Sequence, residues 1–155
     1  MHTLRKIYCR TFQTVFKIAL PFLPYRTPEI VPSVKKLPEI IRANGSSRVL
    51  IITDAGIRSL GLTKRLENAL TASDIPYTIY DKTVANPTTT NVQEALALYK
   101  KNHCDALIGF GGGSSMDCAK AVGARIAKPK QSLAKMKGIL KVHKKLPLLI
   151  AVPTT

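Results

Sequence analysis

Short apolar runs alternate along this chain with longer stretches in which apolar residues recur every three or four positions. The runs Arg48–Thr53, Tyr77–Tyr80, Ala106–Phe110 and Leu146–Val152 predict strands. The first reads Arg-Val-Leu-Ile-Ile-Thr, apolar on both faces in the manner of a parallel sheet covered on both sides, and the last is expected to be buried too. Between the strands, Val34, Leu37, Ile40 and Ile41 predict a helix that Ser33 caps and Asn44-Gly45 ends. Leu66 and Leu70, one turn apart, place a second helix over Thr63–Ala72. Val92, Ala95, Leu96 and Tyr99 place a third from Thr90 or Asn91 to near Asn102. A fourth is expected from about Ser115 to Ala127, because Pro129 cannot continue it far. Ahead of all these, Phe12, Val15, Phe16, Ile18 and Ala19 fall at helical spacing with basic residues between them, so Met1–Leu23 predicts an amphipathic helix.

Strand and helix alternate four times. The expected fold is therefore α/β, a Rossmann-like, mainly parallel sheet with flanking helices and right-handed crossovers. Ligands of such sheets bind beyond the carboxyl ends of the strands. Asp54, Asp81, the turn Gly111-Gly112-Gly113 and Thr154 all fall there. Glycines without Cβ let a ligand approach the backbone, and a helix start offers free N–H groups and a positive dipole end. The stretch Ala106–Lys120 thus suits a phosphate or pyrophosphate. A purely structural reading stands beside it: Ser114-x-x-Asp117 is a serviceable capping box. The order of parts also departs from the usual dinucleotide fingerprint, in which the glycine turn follows the first strand and the ribose-binding acid comes later. Here Asp54 precedes the glycines by two strand–helix units.

Charge adds a second theme. The formal net charge is +15, with basic residues concentrated before Gly45 and between Arg125 and Lys145, where eight occur with no acid. A polyanion-binding face is one interpretation, but no nucleic-acid motif or aromatic interleaving accompanies it, so nucleic acid is not expected as a partner. Cys9, Cys104 and Cys118 lack metal-type spacing and suggest buried thiols in a reducing, cytoplasmic setting. No apolar run reaches the ~20 residues needed to span a bilayer. Pro21 and Pro24 argue against a signal peptide. Residues 1–27 are expected to form an arm or helix packed on this or a partner subunit. The alternative, an interfacial helix, fits the basic amphipathic pattern, but membrane association is not the preferred expectation.

The segments Ile52-Thr-Asp54, Tyr80-Asp81, Asn86-Pro-Thr88, Gly111-Gly-Gly-Ser-Ser-Met-Asp-Cys-Ala-Lys120 and Ile150-Ala-Val-Pro-Thr-Thr155 together resemble the iron-containing (group III) alcohol dehydrogenases. The resemblance runs in register from about Pro28 to Thr155. It implies a dehydroquinate synthase-like N-terminal domain over 28–155 that binds NAD. It implies that Gly111, Gly112, Gly113 and Ser114 form the pyrophosphate turn and that Asp54 holds the adenosine ribose hydroxyls. Asn86 matches a residue near the cofactor, Asp117 a position on the nicotinamide ribose side, and Thr154 and Thr155 threonines lining the adenine and ribose pocket. A carboxylate at Asp54 would accept bonds from a 2′-hydroxyl and repel a 2′-phosphate, which favours NAD over NADP.

The resemblance further implies oxidation of alcohols or reduction of aldehydes by metal-assisted hydride transfer, with Fe²⁺ or Zn²⁺ held by an Asp and three His residues of a helical domain, in a homodimer. That helical half has no counterpart here. His2, His103 and His143 are scattered, without the i, i+4 spacing of a metal site. The chain is accordingly expected to be a truncated, cofactor-binding piece with no catalytic or metal residues of its own. An inactive nucleotide-binding or interaction module, or a glycerol dehydrogenase-like enzyme, are the alternatives.

Overall fold

The computed structural model describes residues 2–19, 28–138 and 141–154. Thr155, among the expected site residues, lies outside them. The chain divides into two compact units, Met1–Val31 and Pro32–Thr155. The first contains α1 (His2–Ala19).

In the second unit, a 3-10 turn (Val34–Lys36) leads into α2 (Leu37–Ala43), with the Ser33 side chain accepting from the Lys35 N–H. Then follow β1 (Val49–Ile52), α3 (Ala55–Ser59), α4 (Lys64–Ala72), β2 (Tyr77–Tyr80), α5 (Thr89–Lys101), β3 (Ala106–Gly111), α6 (Gly113–Ala127) and β4 (Leu148–Pro153). The four strands form one parallel sheet in the order β2-β1-β3-β4. Every residue of β1 and β3 is buried, as central parallel strands require. Leu50, Ile52 and Leu107 pack with Val92, Ala95 and Leu96 of α5 and Cys118, Ala119 and Val122 of α6. α2 and α4 bury Ile41, Leu66 and Leu70 completely.

Three expectations are corrected. Cys104 and Cys118 are buried, but Cys9 is exposed on α1. β4 is not a buried strand: its residues are half-buried or exposed, because it pairs with β3 alone and forms the sheet edge. A short helix, α3, follows β1 directly, where the sequence predicts no helix before Thr63. Asp54 is its N-cap, accepting from the Ile57 N–H at 2.9 Å.

α3 is tied to its neighbours through one buried carboxylate. Glu67 of α4, 5% exposed, accepts from the Thr63 hydroxyl at 2.6 Å and pairs with Arg58 of α3. The Tyr77 hydroxyl of β2 donates to its other oxygen at 3.4 Å. Burial alone would raise the Glu67 pKa. The Thr63 bond and the Arg58 and Lys64 charges outweigh it and hold the carboxyl below its ordinary value. A depressed folded-state pKa means that the carboxylate stabilises the fold above its unfolded value of about 4.3, and that this is lost as pH falls through the lower folded value. Glu67→Gln is expected to cost about 2 kcal/mol at neutral pH in urea denaturation, since Arg58 keeps partial access to solvent. The gap from wild type should narrow as pH falls below the unfolded value of about 4.3.

Candidate functional site

The strand order places the site. From β1 the chain crosses outward to β2, returns past β1 to β3, and continues outward to β4 on the other side. The carboxyl ends of β1 and β3 therefore flank the point where the winding reverses, and there a crevice opens. A cavity of about 420 Å³ lies at this point, within the range of small-molecule sites. Asp54 and Gly56 line it from the β1 side, Thr83–Ala85 from the end of β2, and Gly112–Ser115 from the start of α6.

The glycine turn is built from distinct demands at each position. Gly109, inside β3, lets α6 lie close: a Cβ there would come within 3.0 Å of the Met116 Cα and 3.1 Å of the Ala119 Cβ. Gly111 has φ +133°, a conformation open to glycine, and a Cβ would meet the Ser115 Oγ at 3.0 Å and an Asp54 carboxylate oxygen at 3.4 Å. At Gly112 and Gly113 a Cβ would meet nothing within 4 Å. Both line the cavity, so the space beside their backbone is free for a ligand. α6 starts at Gly113 with Gly112 as N-cap and no side-chain cap. Its first N–H groups have no intrahelical acceptors and present the positive dipole end to the crevice.

The expected capping box is therefore absent. The helix begins two residues too early for Ser114 to cap it, and the Ser114 hydroxyl instead accepts from the Asn86 N–H at 3.3 Å. That bond draws the loop after β2 over the glycine turn. Asn86 has φ +56°, which asparagine tolerates. Its neighbours Val84 and Ala85 line the cavity, whereas Asn86 does not.

Asp54 faces the turn across the strand ends. Its Oδ2 accepts from the Ser115 hydroxyl at 3.4 Å, while Oδ1 caps α3. The carboxylate thus has a structural role and also lines the cavity. Asp117 does not line the cavity: it is exposed and pairs with Lys120 at 3.2 Å. Thr154 donates its N–H to the Gly111 carbonyl at 3.3 Å and lies beyond the cavity lining. Thr83, Val84, Ala85, Gly56 and Ser115 were not singled out in the sequence. Ser115, wholly buried, belongs to the glycine motif, and its distance of one turn from Gly111 was the available signal. The loop Thr83–Ala85 carried none beyond following an expected strand.

The residues present do not fit a metal: among those described, no three His, Cys, Asp or Glu side chains converge. They fit a phosphate-bearing nucleotide, through the Cβ-free cradle, the helix start and a carboxylate at the neighbouring strand end.

An α/β domain with a crevice at the switch point of its sheet is an architecture shared by many proteins, and comparison with known proteins narrows it. The sequence profile of the iron-containing alcohol dehydrogenases matches residues 31–155, and the chain belongs to that family. Alcohol dehydrogenase 4 of Schizosaccharomyces pombe is 37% identical over 115 residues, 74% of this chain and 27% of the relative. NAD-dependent methanol dehydrogenase of Bacillus methanolicus is 32% identical over 123 residues, 79% of this chain and 32% of the relative. Among solved structures, 1,3-propanediol oxidoreductase superposes with a TM-score of 0.78 at 29% identity, over 86% of this chain and 36% of that one. The chain spans about a third of the length of the relatives it matches.

The glycine geometry predicts opposite effects at two positions. Gly109→Ala should cost about 1–3 kcal/mol in urea denaturation, because α6 must move off β3. Gly113→Ala, with open space at its Cβ, should change stability by less than about 1 kcal/mol.

Proposed function

We propose that this chain supplies the NAD-binding part of an alcohol or aldehyde oxidoreductase that works in the cytoplasm. The observation that carries the reading is the Cβ-free cradle at Gly112 and Gly113, open to a cavity that the Asp54 carboxylate also lines. The backbone N–H groups at the start of α6 would bind the pyrophosphate, and the Ser114 and Ser115 hydroxyls stand beside them. Asp54 would accept from the adenosine ribose hydroxyls, in the charge-assisted bonds that a carboxylate makes. Asn86 would hold its loop over the turn through Ser114, while Thr154 would fix the β4 end against Gly111. For Asp117 and Thr155 the proposal rests on the family resemblance alone. Bound NAD would supply hydride chemistry, and the domain would orient it. The name of the Bacillus methanolicus relative includes NAD dependence, in keeping with an acid rather than a cation at Asp54.

A second reading, nucleotide binding without turnover, draws on the lack of converging metal ligands among the described residues. It is distinguished by assaying the chain with NAD, Fe²⁺ and a short alcohol: turnover abolished by a chelator would overturn it.

Calorimetric titration tests the first reading. NAD should bind more tightly than NADP. Asp54→Asn keeps the α3 cap but removes the charge, and should weaken NAD roughly ten- to hundredfold while narrowing the preference. Equal binding of NAD by wild type and variant would contradict the role given to Asp54.

A further inference from the structure

We propose that α1 is an interfacial helix that seats the chain on an anionic lipid surface. Its apolar side chains Phe12, Val15 and Ile18 are 47%, 61% and 66% exposed. The Phe12 and Phe16 rings stack with centroids 6.1 Å apart, forming one continuous apolar block. At about 100° per residue, Phe12, Val15 and Phe16 fall within about 100° of arc, and Ile18 flanks them. Lys6, Arg10 and Lys17 fall within about 40° of one another on the opposite side. All three are exposed.

The choice of a lipid partner rests on charge and length. α1 holds Arg5, Lys6, Arg10 and Lys17, Arg26 follows, and no acid precedes Glu29. Apart from Arg5, which falls in line with the apolar arc near the helix start, the charges are of one sign and stand away from the apolar stripe. That arrangement matches a surface that is itself anionic above and apolar below. Among the described residues no helix is long and apolar enough to cross a membrane, so α1 would lie in the interface plane. In that position the apolar block sits among the acyl chain ends and the basic side chains reach the headgroups.

The chain contains no Trp, so Phe12→Trp in the full chain is a single fluorescent reporter. It is titrated with vesicles of phosphatidylcholine alone and of phosphatidylcholine with about 30% phosphatidylglycerol. The expected result is a blue shift and co-flotation with the anionic vesicles only, weakened by salt. Each of Lys6→Gln, Arg10→Gln and Lys17→Gln should weaken binding about fivefold. Val15→Asp should abolish the shift while leaving the thermal transition of the α/β unit in place.

The basic tract Arg125–Lys145 could also attract anionic vesicles, so Lys135→Gln/Lys137→Gln is run beside these variants. Binding lost in that double variant but retained in Val15→Asp would overturn the proposal. So would the absence of any emission change with either vesicle, including the case in which Val15→Asp instead dissolves a self-associated form, which would assign the apolar face to a second copy of the chain.

Discussion

The structure depends on the parallel pairing of β1 with β3, which puts two chemically different strand ends side by side. Ile52 lies opposite Gly109 in the register, so Asp54 and Gly111 follow at matching heights. At that level the Asp54 carboxylate reaches the Ser115 hydroxyl, and a side chain at Gly111 would stand between them. Central parallel strands bury both faces and gain the largest share of the apolar burial. The same pairing that stabilises the domain therefore fixes the acid against the helix start. Stability and site geometry share one cause.

Two further contacts keep that arrangement from loosening. Gly109 lets α6 lie against β3 at a distance no larger residue permits, so the helix start cannot drift from the strand end. On the other side, Glu67 gathers Arg58, Thr63 and Tyr77, fastening α3 to α4 and to the beginning of β2. Asp54 caps α3, so this buried carboxylate of α4 steadies the acid of the site from thirteen residues away. Opposite, the Tyr80 hydroxyl donates to Glu94 and accepts from Asn91, whose backbone and side chain also close the capping box of α5. Burial, reinforced by Glu94, pushes the Tyr80 hydroxyl up to about 12, so it remains a neutral donor across the ordinary pH range. The loop that covers the cavity is thereby anchored at both ends.

Much of this was legible in the residues because buried parallel strands and amphipathic helices carry strong apolar patterns. β1, β2, β3, α4 and α5 fall within a residue or two of their observed ends, and the first three residues expected of α2 form a 3-10 turn instead. What failed shares a physical reason. α3 has five residues, too few to show a helical period, and the same acid that ends β1 caps it. The Ser114–Asp117 box was plausible by spacing, yet α6 starts at Gly113, where the backbone rather than a side chain faces the crevice. β4 is as apolar as β1, and composition does not say which strand takes the edge. The residues drawn from the β2–α5 loop are held at the cavity by long-range bonds, from the Thr83 N–H to the Thr53 carbonyl and from the Asn86 N–H to the Ser114 hydroxyl, and such contacts leave no periodic trace. Family membership rests on motifs spread over four strand ends. The roles of individual residues within the crevice are the proposal.

The central claim is that the crevice between the β1 and β3 ends receives the phosphates of a dinucleotide on the α6 N-terminus. Backbone amide shifts during titration of the isotopically labelled chain with NAD test it most directly. The account predicts the largest shifts at Gly111–Ser115, with a second group at Asp54–Ile57. It would be contradicted if those amides stayed unchanged while shifts gathered in the basic tract Arg125–Lys145, which would reduce the interaction to charge alone.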